Sequence, residues 1–359
     1  MGKHYLYFIS PHGFGHAARS AAVIQSILEE DPANRVEIFS GVPEWFFRES
    51  IKGHFDYQLL KTDVGLVQKD SMTEDLDATL TALGIFFNQM PLECSAIKEK
   101  FAGTHIDGVI CDISPLGIEL ARLMKVPSIL IENFTWDWIY ANYTNTHPGF
   151  LPYIERMAGI YGHCDYHIRC QPAGELLSRV NLTCGPISRK PRLSKQQIRK
   201  ELQINEGQTA VLITLGGIPT RFRFLETLTR MEEIVFIVPG SSDEIIYKQN
   251  LRLLPHHSRF YHPDLMASCD ALIGKAGYST ISEAYWAGVP FGYLLRPSFR
   301  ESGPLAVFIQ DSLNGIEFFE NDFENRQWQK KVADLLKRPR QSRDGVNGSE
   351  QVNRFLMDL

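Results

Sequence analysis

Short apolar runs alternate along this chain with stretches whose apolar residues recur every three or four positions. Residues 5–10 (YLYFIS) form a nearly continuous apolar run, which a glycine-bearing turn follows. A helix-period stretch comes next, with Ala17, Ala21, Ile24 and Leu28 on one face, and then a second run at 36–39. Runs at 108–111 and 128–131 flank a predicted helix at 115–124. Strand, helix and strand in this order, with strands apolar throughout, predict a parallel sheet covered on both faces.

The pattern breaks and then restarts. Residues 184–200 (CGPISRKPRLSKQQIRK) are basic and punctuated by prolines, as suits a connection between domains that leads into a helix. Beyond it, strands are expected at 210–215, ending in Gly216-Gly217, at 234–238, at 271–273 before the Gly274 turn, and at 291–295. A chain of 359 residues exceeds what one core usually serves. The fold class expected is α/β, with two Rossmann-like doubly wound domains facing across a cleft. Their expected extents are 1–185 and 186–345, and residues 346–359 supply a last helix that packs back toward the N-terminal domain.

Composition narrows the function classes. Hydrophobic residues make up 44% and charged residues 22%, which excludes a disordered chain. Lys and Arg total 37 against 42 Asp and Glu, a net of -5, so no global positive field would gather nucleic acid or anionic lipid. The start carries no cationic head with a long apolar centre, and no window approaches the ~20 apolar residues of a membrane span. A cytoplasmic location is the expectation. Six cysteines are scattered without any Cys-x-x-Cys, so neither a disulfide framework nor a metal site is expected.

Two glycine-bearing strand-to-helix turns carry the candidate chemistry. In the second half, Gly274-Lys275-Ala276-Gly277-Tyr278-Ser279-Thr280 lies where a parallel strand gives way to a helix whose free N–H groups and positive dipole end favour an anion. Gly277 lets a phosphate approach the backbone, Lys275 adds charge, and Ser279 and Thr280 add hydroxyl donors. Glu283, expected on the helix's first turn, suits two vicinal hydroxyls such as a ribose offers.

In the first half, His12-Gly13-Phe14-Gly15-His16-Ala17-Ala18-Arg19 opens the first helix. Gly13, Gly15 and Ala18 match a dinucleotide fingerprint. The second strand nevertheless ends in Ser40-Gly41 without the acidic residue that an adenosine ribose requires, and His16 crowds the place of a pyrophosphate. His16 is instead a candidate general base. Asp112 is either a helix cap or a carboxylate that orients or replaces His16, and Asp137 is the alternative carboxylate. Arg19 is a candidate for holding an anion, and Asp63, Gln68 and Asp70 for lining the acceptor side. Phe134, Trp136, Trp138, Tyr140 and Tyr143 form either a platform for a flat ligand or a core cluster.

The string 274–290 resembles the donor-nucleotide signature of GT-B glycosyltransferases, and is similar in particular to the peptidoglycan N-acetylglucosaminyltransferase family. That resemblance implies that Lys275 faces the diphosphate, that Glu283 binds ribose, and that Gly216 and Gly217 form a second phosphate-facing turn. Plant small-molecule transferases end this signature in Asp-Gln or Glu-Gln. Here Arg300-Glu301-Ser302 stands in that place, and Glu301 alone matches the donor-sugar role. The strings 12–16, 63–70, 133–140 and 274–290 occur in the same order in the glycosyltransferase-like N-terminal half of plant L-arabinokinases. No sugar-kinase segment follows here, so kinase activity is not expected. Pro43-Glu44-Trp45-Phe46-Phe47-Arg48 resembles a spot where some relatives meet membranes, so these residues are either a peripheral membrane contact or ordinary packing.

The resemblance implies a sugar transfer from a nucleotide-diphosphate donor, a UDP-sugar before others, to an unidentified acceptor hydroxyl. Many retaining enzymes of this architecture carry two glutamates eight positions apart. Lys275 stands eight before Glu283, so inversion without a metal or other cofactor is expected. Alternatives on the same fold are a nucleotide-sugar hydrolase or epimerase, and a non-catalytic sugar-nucleotide-binding module.

Overall fold

The computed structural model describes residues 2–69, 73–174, 179–214, 225–319, 322 and 327–359. The chain forms two compact units: Met1–Ile187 with Phe299–Glu301 and Val346–Leu359, and Ser188–Ser298 with Ser302–Gly345. Phe299–Glu301 thus belongs with the first unit and not, as expected from its position in the chain, with the second. The reason is its contacts: Phe299 is buried among the first unit's aromatic residues, next to His12 and Phe134.

The first unit is built on seven strands: β1 (His4–Ile9), β2 (Arg35–Ser40), β3 (Asp56–Leu59), β4 (Gly108–Asp112), β5 (Ser128–Glu132), β6 (Tyr166–Cys170) and β7 (Leu182–Cys184). Their order is β3-β2-β1-β4-β5-β6-β7, parallel at every pairing. β1 and β4 are buried along their whole length and apolar from Tyr5 to Ile9 and from Gly108 to Cys111, as strands covered on both faces are, with the charged Asp112 at the carboxyl end of β4. The helix Pro115–Met124 starts on Ser114, whose hydroxyl accepts from the Gly117 N–H, with proline in the first turn where its missing donor costs nothing. The helix Gly348–Met357 returns to the first unit, where Ser349 Oγ meets Ser26 Oγ at 3.0 Å and Val352 and Leu356 are buried.

The second unit also has seven strands: β8 (Thr209–Thr214), β9 (Ile234–Pro239), β10 (Ile246–Lys248), β11 (Leu251–Leu254), β12 (Ala271–Lys275), β13 (Phe291–Leu294) and β14 (Ile316–Glu317). The order is β10-β11-β9-β8-β12-β13-β14, with β10 antiparallel to β11 and the remaining pairs parallel. Gly274 is required by the pairing of β12 with β8. A Cβ there would stand 2.2 Å from the Thr214 carbonyl oxygen, closer than any side chain tolerates.

In each sheet the winding reverses between two adjacent central strands, β1 and β4 in one and β8 and β12 in the other. The crevice beyond the carboxyl ends at such a reversal is where open α/β sheets take their ligands. Both motifs singled out above lie at these places.

Candidate functional site

In the first unit, β1 runs into the helix Phe14–Glu30, and its cap residue Gly13 has φ 72 and ψ -176, a conformation that glycine alone adopts without strain. That turn puts His16 on the helix's first turn. β4 ends beside β1, with Ile9 opposite Asp112. His16 Nδ1 lies 2.7 Å from Asp112 Oδ1, with His16 7% exposed and Asp112 fully buried. Arg19, one helical turn on, binds the same carboxylate through Nε at 2.8 Å and Nη2 at 2.6 Å, and Ser20 Oγ donates to Oδ2 at 2.9 Å.

Asp112 is therefore not a helix cap; Ser114 fills that role. Burial pushes the Asp112 carboxyl up, but the charges of Arg19 and His16 and their hydrogen bonds outweigh it and hold it down at about 2. An ionised carboxylate only accepts, and a guanidinium only donates. His16 Nδ1 must then carry the proton donated to Asp112, and the 3.1 Å approach of Arg19 Nη2 to Nδ1 follows from crowding at Oδ1. Nε2 is left as the basic nitrogen, and no residue among those described hydrogen-bonds to it. A histidine fixed in this tautomer by a carboxylate is the arrangement a general base needs.

Asp63 and Trp136 lie close by; Asp63 does not line the acceptor side, and Trp136 takes the core alternative rather than the platform. Trp136 is fully buried and donates Nε1–H to Asp63 Oδ2 at 3.0 Å, while Ser10 Oγ donates to Oδ1 at 3.1 Å. Both are interior groups and do not line a surface. Burial raises the Asp63 carboxyl to about 6, against the Trp136 hydrogen bond, the His16 charge and the Ser10 hydrogen bond. Phe134, Trp136, Tyr140 and Tyr143 are likewise core residues, with Trp136 stacked on Tyr140, so they form no exposed platform.

Asp137 does not join His16. It lies in the first turn of the helix Trp136–Ala141, where burial raises its carboxyl against hydrogen bonds from Thr135 and the backbone. Gln68 is half-buried and bridges in antiparallel fashion to Glu74. Gly15 lies in the first turn of the helix Phe14–Glu30. Glu301 is buried, and its Oε1 accepts from Asn133 Nδ2 at 2.7 Å. In the helix Glu44–Ser50, Phe46 and Phe47 turn inward and Arg48 pairs with Glu44, which leaves little of that aromatic string to meet a membrane. Asp70 falls outside the described residues. Among those described, no helix is long and apolar enough to cross a membrane.

In the second unit, β12 ends at Lys275, and Gly277 caps the helix Tyr278–Ala287. Ser279 and Thr280 are half-buried in its first turn. A Cβ on Gly277 would meet no atom within 4 Å, so this face of the helix start is open. Glu283 lies on the second turn, since the helix begins earlier than expected, at Tyr278. It is buried, with Oε1 accepting from Arg189 Nε at 3.0 Å and Nη2 at 2.9 Å, and Oε2 2.7 Å from His262 Nδ1. Burial pushes its carboxyl up, but Arg189 and His262 bring it below its ordinary value. Arg189 and Arg192 also lie over the Tyr261 ring, at 5.1 and 4.1 Å. Gly216 and Gly217 fall outside the described residues.

Asn133, Ser20, Arg189 and His262 were not singled out in the sequence. Asn133 carried a usable signal, since it follows the carboxyl end of β5. The other three had none.

The fold is that of the GT-B glycosyltransferases: two α/β units, each on a sheet dominated by parallel pairings. The calicheamicin glycosyltransferase CalG4 matches 100% of this chain and 94% of its own with a TM-score of 0.64 at 14% identity. A UDP-glucosyltransferase from Polygonum tinctorium matches 100% and 93% with a TM-score of 0.66 at 13% identity. The MurG of Acinetobacter baumannii matches 99% and 100% with a TM-score of 0.57 at 14% identity. In sequence, the chain is 27% identical over 366 residues to the L-arabinokinase of Arabidopsis thaliana, which covers 99% of this chain. It spans about a third, 34%, of that relative's length. No family model matches the chain.

Proposed function

We propose that this protein is a glycosyltransferase that moves a sugar from a nucleoside-diphosphate donor, a UDP-sugar before others, to an acceptor hydroxyl with inversion. The observation that carries the reading is His16, held by the buried, ionised Asp112 in the tautomer that leaves Nε2 basic. In this reading Nε2 takes the acceptor's proton as its oxygen attacks the anomeric carbon, and the bond to the diphosphate breaks with its electron pair leaving on the phosphate oxygen. The donor half is assigned to the second unit. Lys275, the N–H groups at Gly277 and the hydroxyls of Ser279 and Thr280 receive the departing diphosphate.

Glu283 enters this reading in a changed role. Its oxygens already hold Arg189 and His262, so a ribose hydroxyl would share a carboxylate that is already bonded at both oxygens. The UDP preference is supported by the name of the Polygonum tinctorium neighbour and by the resemblance of the 274–290 string.

The test is nucleotide release from UDP-, GDP- and TDP-sugars, with and without a panel of hydroxyl acceptors and with EDTA present. Acceptor-dependent release that survives EDTA and is lost in His16→Ala supports the reading. Rapid release without acceptor would make the protein a hydrolase, and tight binding without any turnover would make it a binding module.

A further inference from the structure

A buried row of hydrogen bonds leads from Glu301 to His16. Glu301 Oε1 accepts from Asn133 Nδ2 at 2.7 Å, and Asn133 Oδ1 accepts from Arg19 Nη1. Arg19 grips Asp112 with Nε and Nη2, and Asp112 holds His16 Nδ1. Arg19 and Asn133 are each 1% exposed, and Glu301 is 8% exposed. The members come from the first helix, the end of β4, the residue after β5 and the segment Phe299–Glu301, so the fold alone brings them together.

The Asn133 amide has a defined orientation. Its oxygen faces a cation and its nitrogen an anion, and a flipped amide would set donor against donor and acceptor against acceptor. Two prongs on Asp112 fix the register of the guanidinium along the carboxylate but leave it able to tilt about that line. A third contact at Nη1 removes that freedom. Glu301, at the other end, is itself anchored: Phe299 packs on Phe134 with ring centroids 6.0 Å apart, and Arg300 lies over the Trp138 ring at 4.2 Å and donates to the Trp138 carbonyl at 2.9 Å.

We propose that Asn133 is a positioning residue through which Glu301 fixes the Arg19–Asp112 clamp that aims His16. The proposal rests on the reading of His16 as the base.

Asn133→Asp tests it, because a carboxylate keeps the acceptor for Arg19, loses the donor to Glu301 and sets two carboxylates face to face. The expected result is a fall in kcat of about 10- to 100-fold with the donor KM within about twofold, as for an interaction felt at the transition state. In histidine-selective 1H–15N spectra the His16 Nδ1–H signal is expected to be sharp in the parent protein and to broaden or vanish in the variant. The double variant Asn133→Asp/Glu301→Gln restores one donor and one acceptor between these positions with the polarity reversed. It is expected to recover the Nδ1–H signal. Should Asn133→Asp not fold, Glu301→Ala breaks the row at its outer end and the same spectrum reads it.

A parent-like Nδ1–H signal in Asn133→Asp or in Glu301→Ala, or a double variant no better than the single one, overturns the proposal. The spectrum needs no turnover, so it separates the two readings. If His16→Ala remains active the base assignment fails while the spectra still report the row; if His16→Ala is dead and the spectra never change, the row fails and the base stands.

Discussion

His16 Nδ1 stands 2.7 Å from Asp112 Oδ1 although 96 positions separate the two residues. Sheet order explains this: β1 and β4 are neighbours at the place where the winding reverses, and the turn after β1 folds its histidine over the end of β4. The same carboxylate takes both prongs of Arg19, so its burial is compensated by four donors rather than by protonation.

Asp112→Asn is expected to lower turnover by roughly 10²–10⁴-fold without abolishing nucleotide binding. An amide offers one acceptor where the carboxylate offers two, so His16 loses its fixed tautomer and Arg19 its anionic partner. Steady-state nucleotide release and UDP titration by calorimetry check the two halves. Equal loss of binding and turnover would point to collapse of the first unit instead.

Stability against pH carries opposite signatures from two buried carboxylates. Asp112 titrates at about 2 when folded, below its unfolded value, so its stabilisation is present above pH ~4 and is lost as pH falls toward 2. Asp63 is raised to about 6, so between pH ~4 and 6 the folded state binds more protons than the unfolded one and stability falls as pH rises. Asp63→Asn removes that fall, on the order of 3 kcal/mol, because an amide needs no ionisation to bond Trp136 and Ser10. Thermal melts of both proteins at pH 4 and pH 7 measure it. An unchanged difference between the two pH values would show that Asp63 is not the group responsible.

Glu283→Gln is expected to cost about 3–5 kcal/mol, the usual loss on breaking a buried ion pair. It leaves the Arg189 charge buried opposite a neutral amide. Since the folded Glu283 carboxyl lies below its ordinary value, the stabilisation it gives is lost as pH falls through the acid range. Chemical denaturation of the parent and the variant at neutral pH reads the difference directly. A loss below 1 kcal/mol would return Glu283 to a role in ligand binding alone.

What was legible in the sequence was local or periodic. The helix Pro115–Met124 carries its own start signal in Ser114-Pro115, and the central strands are continuous apolar runs because both faces of each sheet are covered. The short edge strands β3, β7, β10 and β14 were missed, since two to four residues make no pattern. The helix Leu76–Lys100 contains Pro91 and gave no clean period. The roles at the site were the least legible. Asp63 read as lining the acceptor side and Trp136 as either platform or core, yet they bond to each other in the interior. Asn133 and Arg189 depend on partners 114 to 168 and 94 positions away, which no local pattern records.

The two glycines of the second motif make a paired prediction, because one is required by packing and the other is not. Gly274→Ala puts a methyl group 2.2 Å from the Thr214 carbonyl on the neighbouring central strand, where only a shift of β12 can relieve it. A loss of at least about 2 kcal/mol is expected in denaturant unfolding. Gly277→Ala meets no atom within 4 Å, and its backbone at φ -137 suits any residue, so stability is expected to change by less than about 0.5 kcal/mol. If a diphosphate sits against this helix start, the added methyl group takes up the close approach that glycine leaves open, and affinity for UDP and its sugar conjugates falls about tenfold or more. Loss of affinity in Gly277→Ala with an unchanged melting temperature would locate the donor phosphates. Retained affinity would move them away from the helix Tyr278–Ala287 altogether.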